Sequence, residues 1–238
     1  MAVPLQPGLM PSLRNLVRGL ALLFWVLPLA LLACVQGALT NWLRPLGPFP
    51  PVLATGLLLF ALHQMGRFQP QERIWQNALD RAKLLAMVNI GLAPFLYWWR
   101  RVPEEPAFYW SVALLSLSGL VFLCNVNFVL RRLAAMLPDE ILRSDTRFLT
   151  SLNLGLTVLV LTALGAYYIC AELAENRPPP NSFLAVTQFF YESRRGIILL
   201  LVLLPVAITM SLLWKTKETV LNSVFSAPPP PPSEPPVN

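Results

Sequence analysis

Charge in this chain is confined to the boundaries of its apolar runs, and that confinement limits the fold more than any other feature. No charged residue interrupts the stretch from Gly19 to Val35, and similar runs recur along the chain. A helix needs about 20 such residues to cross the ~30 Å hydrocarbon core of a bilayer. Six segments meet or approach that length, at about 18–38, 49–66, 84–99, 107–130, 148–171 and 196–214. The second and third sit near the lower limit, because Arg67 closes one and Arg100-Arg101 closes the other. Of the 238 residues, 55% are hydrophobic and 13% charged, whereas a soluble domain is nearer a quarter charged. A soluble fold of this size cannot hide so much apolar surface. These numbers exclude a disordered chain, a coiled coil and an ordinary cytosolic enzyme. The fold class expected is an all-α integral membrane protein, a six-span helical bundle.

The formal net charge is +6. The Lys and Arg residues stand at the ends of apolar runs, so they read as topology signals and not as a nucleic-acid surface. With both termini in the cytoplasm, twelve of them fall in inner segments (Arg14, Arg18; Arg67, Arg73, Arg81, Lys83; Arg131, Arg132, Arg143, Arg147; Lys215, Lys217). Six fall in outer loops: Arg44, Arg100, Arg101, Arg177, Arg194 and Arg195. The bias predicts cytoplasmic termini in a plasma or bacterial inner membrane. Arg14 and Arg18 ahead of an apolar run also resemble a signal sequence, and Leu31-Leu32-Ala33-Cys34 resembles a lipoprotein cleavage box. The basic region is long and no polar tether follows Cys34, so a retained first span is the reading adopted.

A ten-residue pattern occurs twice. Lys83-Leu84-Leu85-Ala86-Met87-Val88-Asn89-Ile90-Gly91-Leu92 matches Arg147-Phe148-Leu149-Thr150-Ser151-Leu152-Asn153-Leu154-Gly155-Leu156 at an offset of 64 residues. Each copy follows a proline and acids, at Pro70-Gln71-Glu72 and Pro138-Asp139-Glu140. Proline suits the first turn of a helix and acids suit its positive end. The reading is a repeated helical hairpin, spans three-four and five-six, entered by cytoplasmic helical stems that run straight into spans three and five. Ile74, Trp75, Ala78, Leu79, Ala82, Leu85 and Ala86 make one apolar face of the first stem. The domain division expected is an N-terminal cytoplasmic segment at 1–17, a transmembrane domain at 18–226 and a Pro-rich tail at 227–238. Pro178-Pro179-Pro180 stiffens the longest outer loop, and Pro228 to Pro232 make the tail a solvated polyproline segment.

Polar side chains inside the runs are the candidate site. Asn89 and Asn153 lie six residues beyond Lys83 and Arg147; Asn125 and Asn127 precede Arg131; His63 and Gln64 precede Arg67. At 1.5 Å per residue they fall ~5–9 Å below the cytoplasmic ends, a polar layer drawn from four spans. Such amides either bond between helices or line a path for a solute. Gly91 and Gly155, two residues past the repeated asparagines, are expected to let helices approach closely.

No catalytic constellation, metal site or cofactor site is expected. A single histidine cannot form a bis-histidine haem or a His-rich zinc site. Cys34, Cys124 and Cys170 are dispersed and form no CxxC. No Gly precedes Ser118 by two residues, and His63 comes earlier in the chain, which does not fit an intramembrane serine protease. No acid lies deep in a span, where a proton- or sodium-coupled carrier normally has one. No phosphate-binding glycine motif or nucleophile elbow occurs. The expectation is a non-enzymatic membrane scaffold or accessory subunit, with the lipid bilayer and a membrane protein or second copy as partners and no nucleic acid. A small-solute channel or transporter is the rival, and a lipid-modifying enzyme the least supported alternative.

Overall fold

A computed structural model describes residues 9–39, 44–102, 104–137, 139–176 and 203–222. These residues are almost wholly helical, with no strand among them. The helices are α1 (Leu9–Leu39), α2 (Phe49–Met65), α3 (Arg73–Leu92), α4 (Phe95–Arg101), α5 (Pro106–Met136) and α6 (Glu140–Asn176). A further helix, α7, covers 203–222. The triple proline at 178–180, the start of the sixth apolar run at 196–202 and the tail at 227–238 lie outside the described residues.

Local chemistry sets the helix ends. Proline occupies the first turn of α2 and of α5, where the missing N–H is not needed. Before α6, Asp139 Oδ1 accepts from the backbone N–H groups of Ile141 at 3.0 Å and Leu142 at 3.1 Å. It satisfies two donors that the first turn leaves open. The stems run into the apolar segments as expected, since α3 and α6 start at 73 and 140 and continue unbroken into the repeated pattern. The third run is not a single helix. It breaks at Ala93-Pro94, and α4 resumes it from Phe95. Pro94 has no N–H for the preceding turn, and its ring crowds the carbonyl four residues back. The first helix also begins well before residue 18, at Leu9, so part of the N-terminal segment belongs to α1.

Among the described residues, three helical stretches are long and apolar enough to cross a membrane: Pro11–Ala38, Pro106–Met136 and Glu140–Ala163. The 17-residue α2 is apolar but shorter. At 1.5 Å per residue it reaches ~25 Å.

Consecutive helices pack in sequence, α1 on α2, α2 on α3, α3 on α5 and α5 on α6, with α4 against α5 and α1. The rings of Phe24 on α1 and Trp214 on α7 lie 5.6 Å apart. Lys215 Nζ on α7 reaches Asp145 Oδ2 on α6 at 2.5 Å. The core joins Leu16, Leu20 and Leu23 to Leu62, Trp75, Leu79, Leu130 and Leu133. One close backbone approach is readable. A Cβ built on Gly19 would lie 2.6 Å from Met65 Cγ and 3.0 Å from the Ala61 carbonyl oxygen. Only glycine lets α1 and α2 meet there.

Many large apolar side chains also face outward. Trp25, Leu29 and Leu32 on α1, Leu53, Leu57 and Phe60 on α2, and Leu114, Leu117 and Val121 on α5 are all exposed. On α6 the usual partition is reversed. Its buried stripe is Leu142, Thr146, Thr150, Asn153, Thr157 and Val160, four of the six polar, while Phe148, Leu152, Leu154, Val158, Leu159 and Leu161 face outward. A helix in water turns its apolar stripe inward. This one turns it outward.

Candidate functional site

The site is built on that polar stripe. The antiparallel register of α5 and α6 sets Asn127 and Cys124 across from Thr150, Asn153 and Thr157. α7 adds Thr209, one helical turn beyond Pro205. Asn127, Asn153 and Thr209 are each fully buried.

The hydroxyl of Thr209 ties the three helices together. It donates to the Pro205 carbonyl at 2.8 Å, inside its own helix. Its oxygen then accepts from Asn127 Nδ2 at 3.1 Å and Asn153 Nδ2 at 3.0 Å. A hydroxyl has one proton and two lone pairs, so this one is saturated. Asn153 Nδ2 also approaches the Pro205 carbonyl at 3.4 Å. Around this knot, Thr150 Oγ1 donates to the Asn127 carbonyl at 3.5 Å and Thr157 Oγ1 to the Asn153 carbonyl at 2.9 Å. The Thr157 proton is thereby committed, so the Cys124 thiol, 3.3 Å from the same oxygen, is the donor in that contact.

The amides are only half satisfied. Among the described residues, Asn127 Oδ1 and Asn153 Oδ1 are buried with no hydrogen-bond partner. A buried unpaired carbonyl costs about 1–3 kcal/mol.

Of the six candidates for the polar layer, the structure unites two. Asn89 is buried on α3, in the position that Asn153 holds on α6, but among the described residues its Oδ1 has no partner and it makes no bond to the knot. Asn125 turns back to its own helix and donates to the Val121 carbonyl at 2.9 Å. His63 is exposed, and Gln64 lines a separate groove between α1 and α2. The expected depth concerned only height; the helical rotation sends His63 and Gln64 elsewhere. The expected closeness at Gly91 and Gly155 is also absent. A Cβ at either meets nothing within 4 Å among the described residues, because each lies on the outward face of its helix.

Sequence reasoning missed Thr209, Thr150, Thr157 and Cys124. The signal was present for α6, since Thr146, Thr150, Asn153 and Thr157 recur every three or four residues within an apolar segment. Thr209 had no such company. No group of three or more metal-ligating side chains occurs among the described residues. Comparison with known proteins finds no matching family model, no similar curated protein and no similar solved structure.

Proposed function

We propose that this chain is a six-span integral membrane protein with cytoplasmic termini that works without chemistry of its own, as a membrane-embedded scaffold or accessory subunit. The observation that carries the reading is the knot at Thr209, where fully buried amides are spent on joining α5, α6 and α7. Polar groups used this way hold helices in register within lipid.

The inverted partition of α6 supports the membrane setting. An apolar outer face opposite a buried polar stripe is stable where the surrounding solvent is hydrocarbon. The repeat is supported by burial as well as by sequence. The inward positions of the first copy are Ala82, Ala86, Asn89 and Ala93; those of the second are Thr146, Thr150, Asn153 and Thr157. The same face is turned inward in both, and the second copy carries hydroxyls where the first has alanines.

Extraction in native lipid, followed by measurement of the mass and composition of the particle, tests this reading. A second membrane protein in fixed stoichiometry is the expected result. The chain alone, conducting a solute selectively in vesicles, would overturn it. One observation favours that rival: the unpartnered oxygens of Asn127 and Asn153 are of the kind that replace part of a solute's hydration shell. Asn153→Leu would then abolish flux in a chain that still assembles; on the scaffold reading it weakens assembly or stability.

A further inference from the structure

A groove of about 480 Å³ opens on the outer surface between α1 and α2. Arg18, Ala21, Leu22 and Trp25 line it from α1, and Phe60 and Gln64 from α2. The close approach of Gly19 to Ala61 and Met65 fixes the register of these helices. Arg18 and Gln64 therefore share one end of the groove. Trp25 lies seven residues along α1, ~10 Å away, so the groove has a polar head and an apolar floor.

The charge that these two helices bring to the head is one-sided. Arg14 is one turn from Arg18 and exposed like it, and Arg67 is exposed just past the end of α2. No Asp or Glu occurs in the sequence before Glu72. Neither helix can supply a carboxylate, and among the described residues Arg18 makes no ion pair. A guanidinium at the edge of hydrocarbon is favoured by an anionic partner, and it matches a phosphate with two parallel hydrogen bonds.

We propose that this groove binds one anionic phospholipid, with its phosphate on Arg18 and Gln64 and an acyl chain along Leu22, Trp25 and Phe60. The inference rests on the membrane-embedded reading given above and is independent of the scaffold role. Arg14 and Arg67 extend the positive field over the headgroup, which selects a net negative lipid over a zwitterionic one. A soluble phosphate would leave the apolar floor bare.

The test uses the full chain in vesicles of phosphatidylcholine with a minor share of phosphatidylglycerol, then native mass spectrometry of the released protein. One retained phosphatidylglycerol, enriched over its share in the vesicle, is expected. Arg18→Gln should lower that retention about fivefold, the worth of one basic residue at an anionic surface, and Arg18→Lys should restore most of it. Phe60→Ala should lower retention of either lipid. Equal retention by wild type and Arg18→Gln, or no preference for phosphatidylglycerol in the wild type, overturns the proposal. Should Arg18→Gln fail to insert, Gln64→Leu gives the same reading from the other helix. Loss of the membrane-embedded reading looks different: the wild-type chain would not float with vesicles at all.

Discussion

Thr209 shows how much one hydroxyl can hold. It accepts from two fully buried amides on two other helices while its proton stays within α7. Interhelical bonds in lipid contribute about 0.6–2 kcal/mol each. Thr209→Val keeps the shape and removes both, so a loss of about 1–3 kcal/mol is expected, read by reversible unfolding in mixed micelles. Because the amides share one acceptor, their effects should not add. Asn127→Leu should cost clearly less in the Thr209→Val background than in the wild type, since the amide it removes has already lost its partner. At this scale the sequence was half legible. An amide in an apolar run is conspicuous, so Asn127 and Asn153 could be found. Their distance from the nearest basic residue gave depth, but only the rotation of each helix decides which amides meet, and rotation comes from packing. That is why His63 and Gln64, expected at the same depth as the asparagines, take no part in the knot.

Among the elements, α6 carries the most information. Its inward stripe is mostly hydroxyl and amide, and its outward face carries every large apolar side chain from Leu152 to Leu161 except Val160 and the half-buried Leu156, with Ser151 and Thr162 among them. A charge on an exposed face of a soluble helix changes stability by about 0.5 kcal/mol or less. At the centre of a membrane span Asp costs about 2.5–3.5 kcal/mol. Val158→Asp should therefore sharply reduce insertion of α6, while Val158→Leu leaves it intact; a glycosylation-based insertion assay on the span measures both. Equal insertion of the two variants would remove the membrane assignment of this face. The stems and the long helices were legible because apolar spacing and proline-acid starts are local signals. The break at Pro94 was legible too, from the chemistry of proline alone, yet length-based reading ran straight through it. Gly19 was harder to see: a glycine in a helix marks a close approach only when a neighbour fills the space, as Met65 does here.

For the whole molecule, the number of crossings decides which turns share a side of the membrane. Length and apolarity single out α1, α5 and α6. The six-span arrangement adds α2, the α3–α4 pair and the run ending in α7. The two arrangements differ at a single accessible point. With six spans, the turn between α2 and α3 and the turn before α5 lie on opposite sides of the membrane. With α1, α5 and α6 alone, both lie on the same side. Two observations bear on the larger number. Exposed apolar residues continue along α3 from Leu84 through Met87 and Val88, while its first turns expose Arg73, Asn77, Asp80 and Arg81. Such a change of character is what a water-to-lipid boundary inside one helix would produce. Likewise α7 is bound to α5 and α6 at Thr209 and to α6 again at Lys215, where the basic ends expected in the cytoplasm begin. Gln71→Cys and Glu105→Cys, each in a chain whose native cysteines are replaced by serine, resolve the count with an impermeant thiol reagent applied to sealed, right-side-out vesicles. Six crossings predict labelling at position 105 without lysis and at position 71 only after it. Labelling of both from the same side would reduce the bundle to three crossings and leave α2 and α3 lying along the surface.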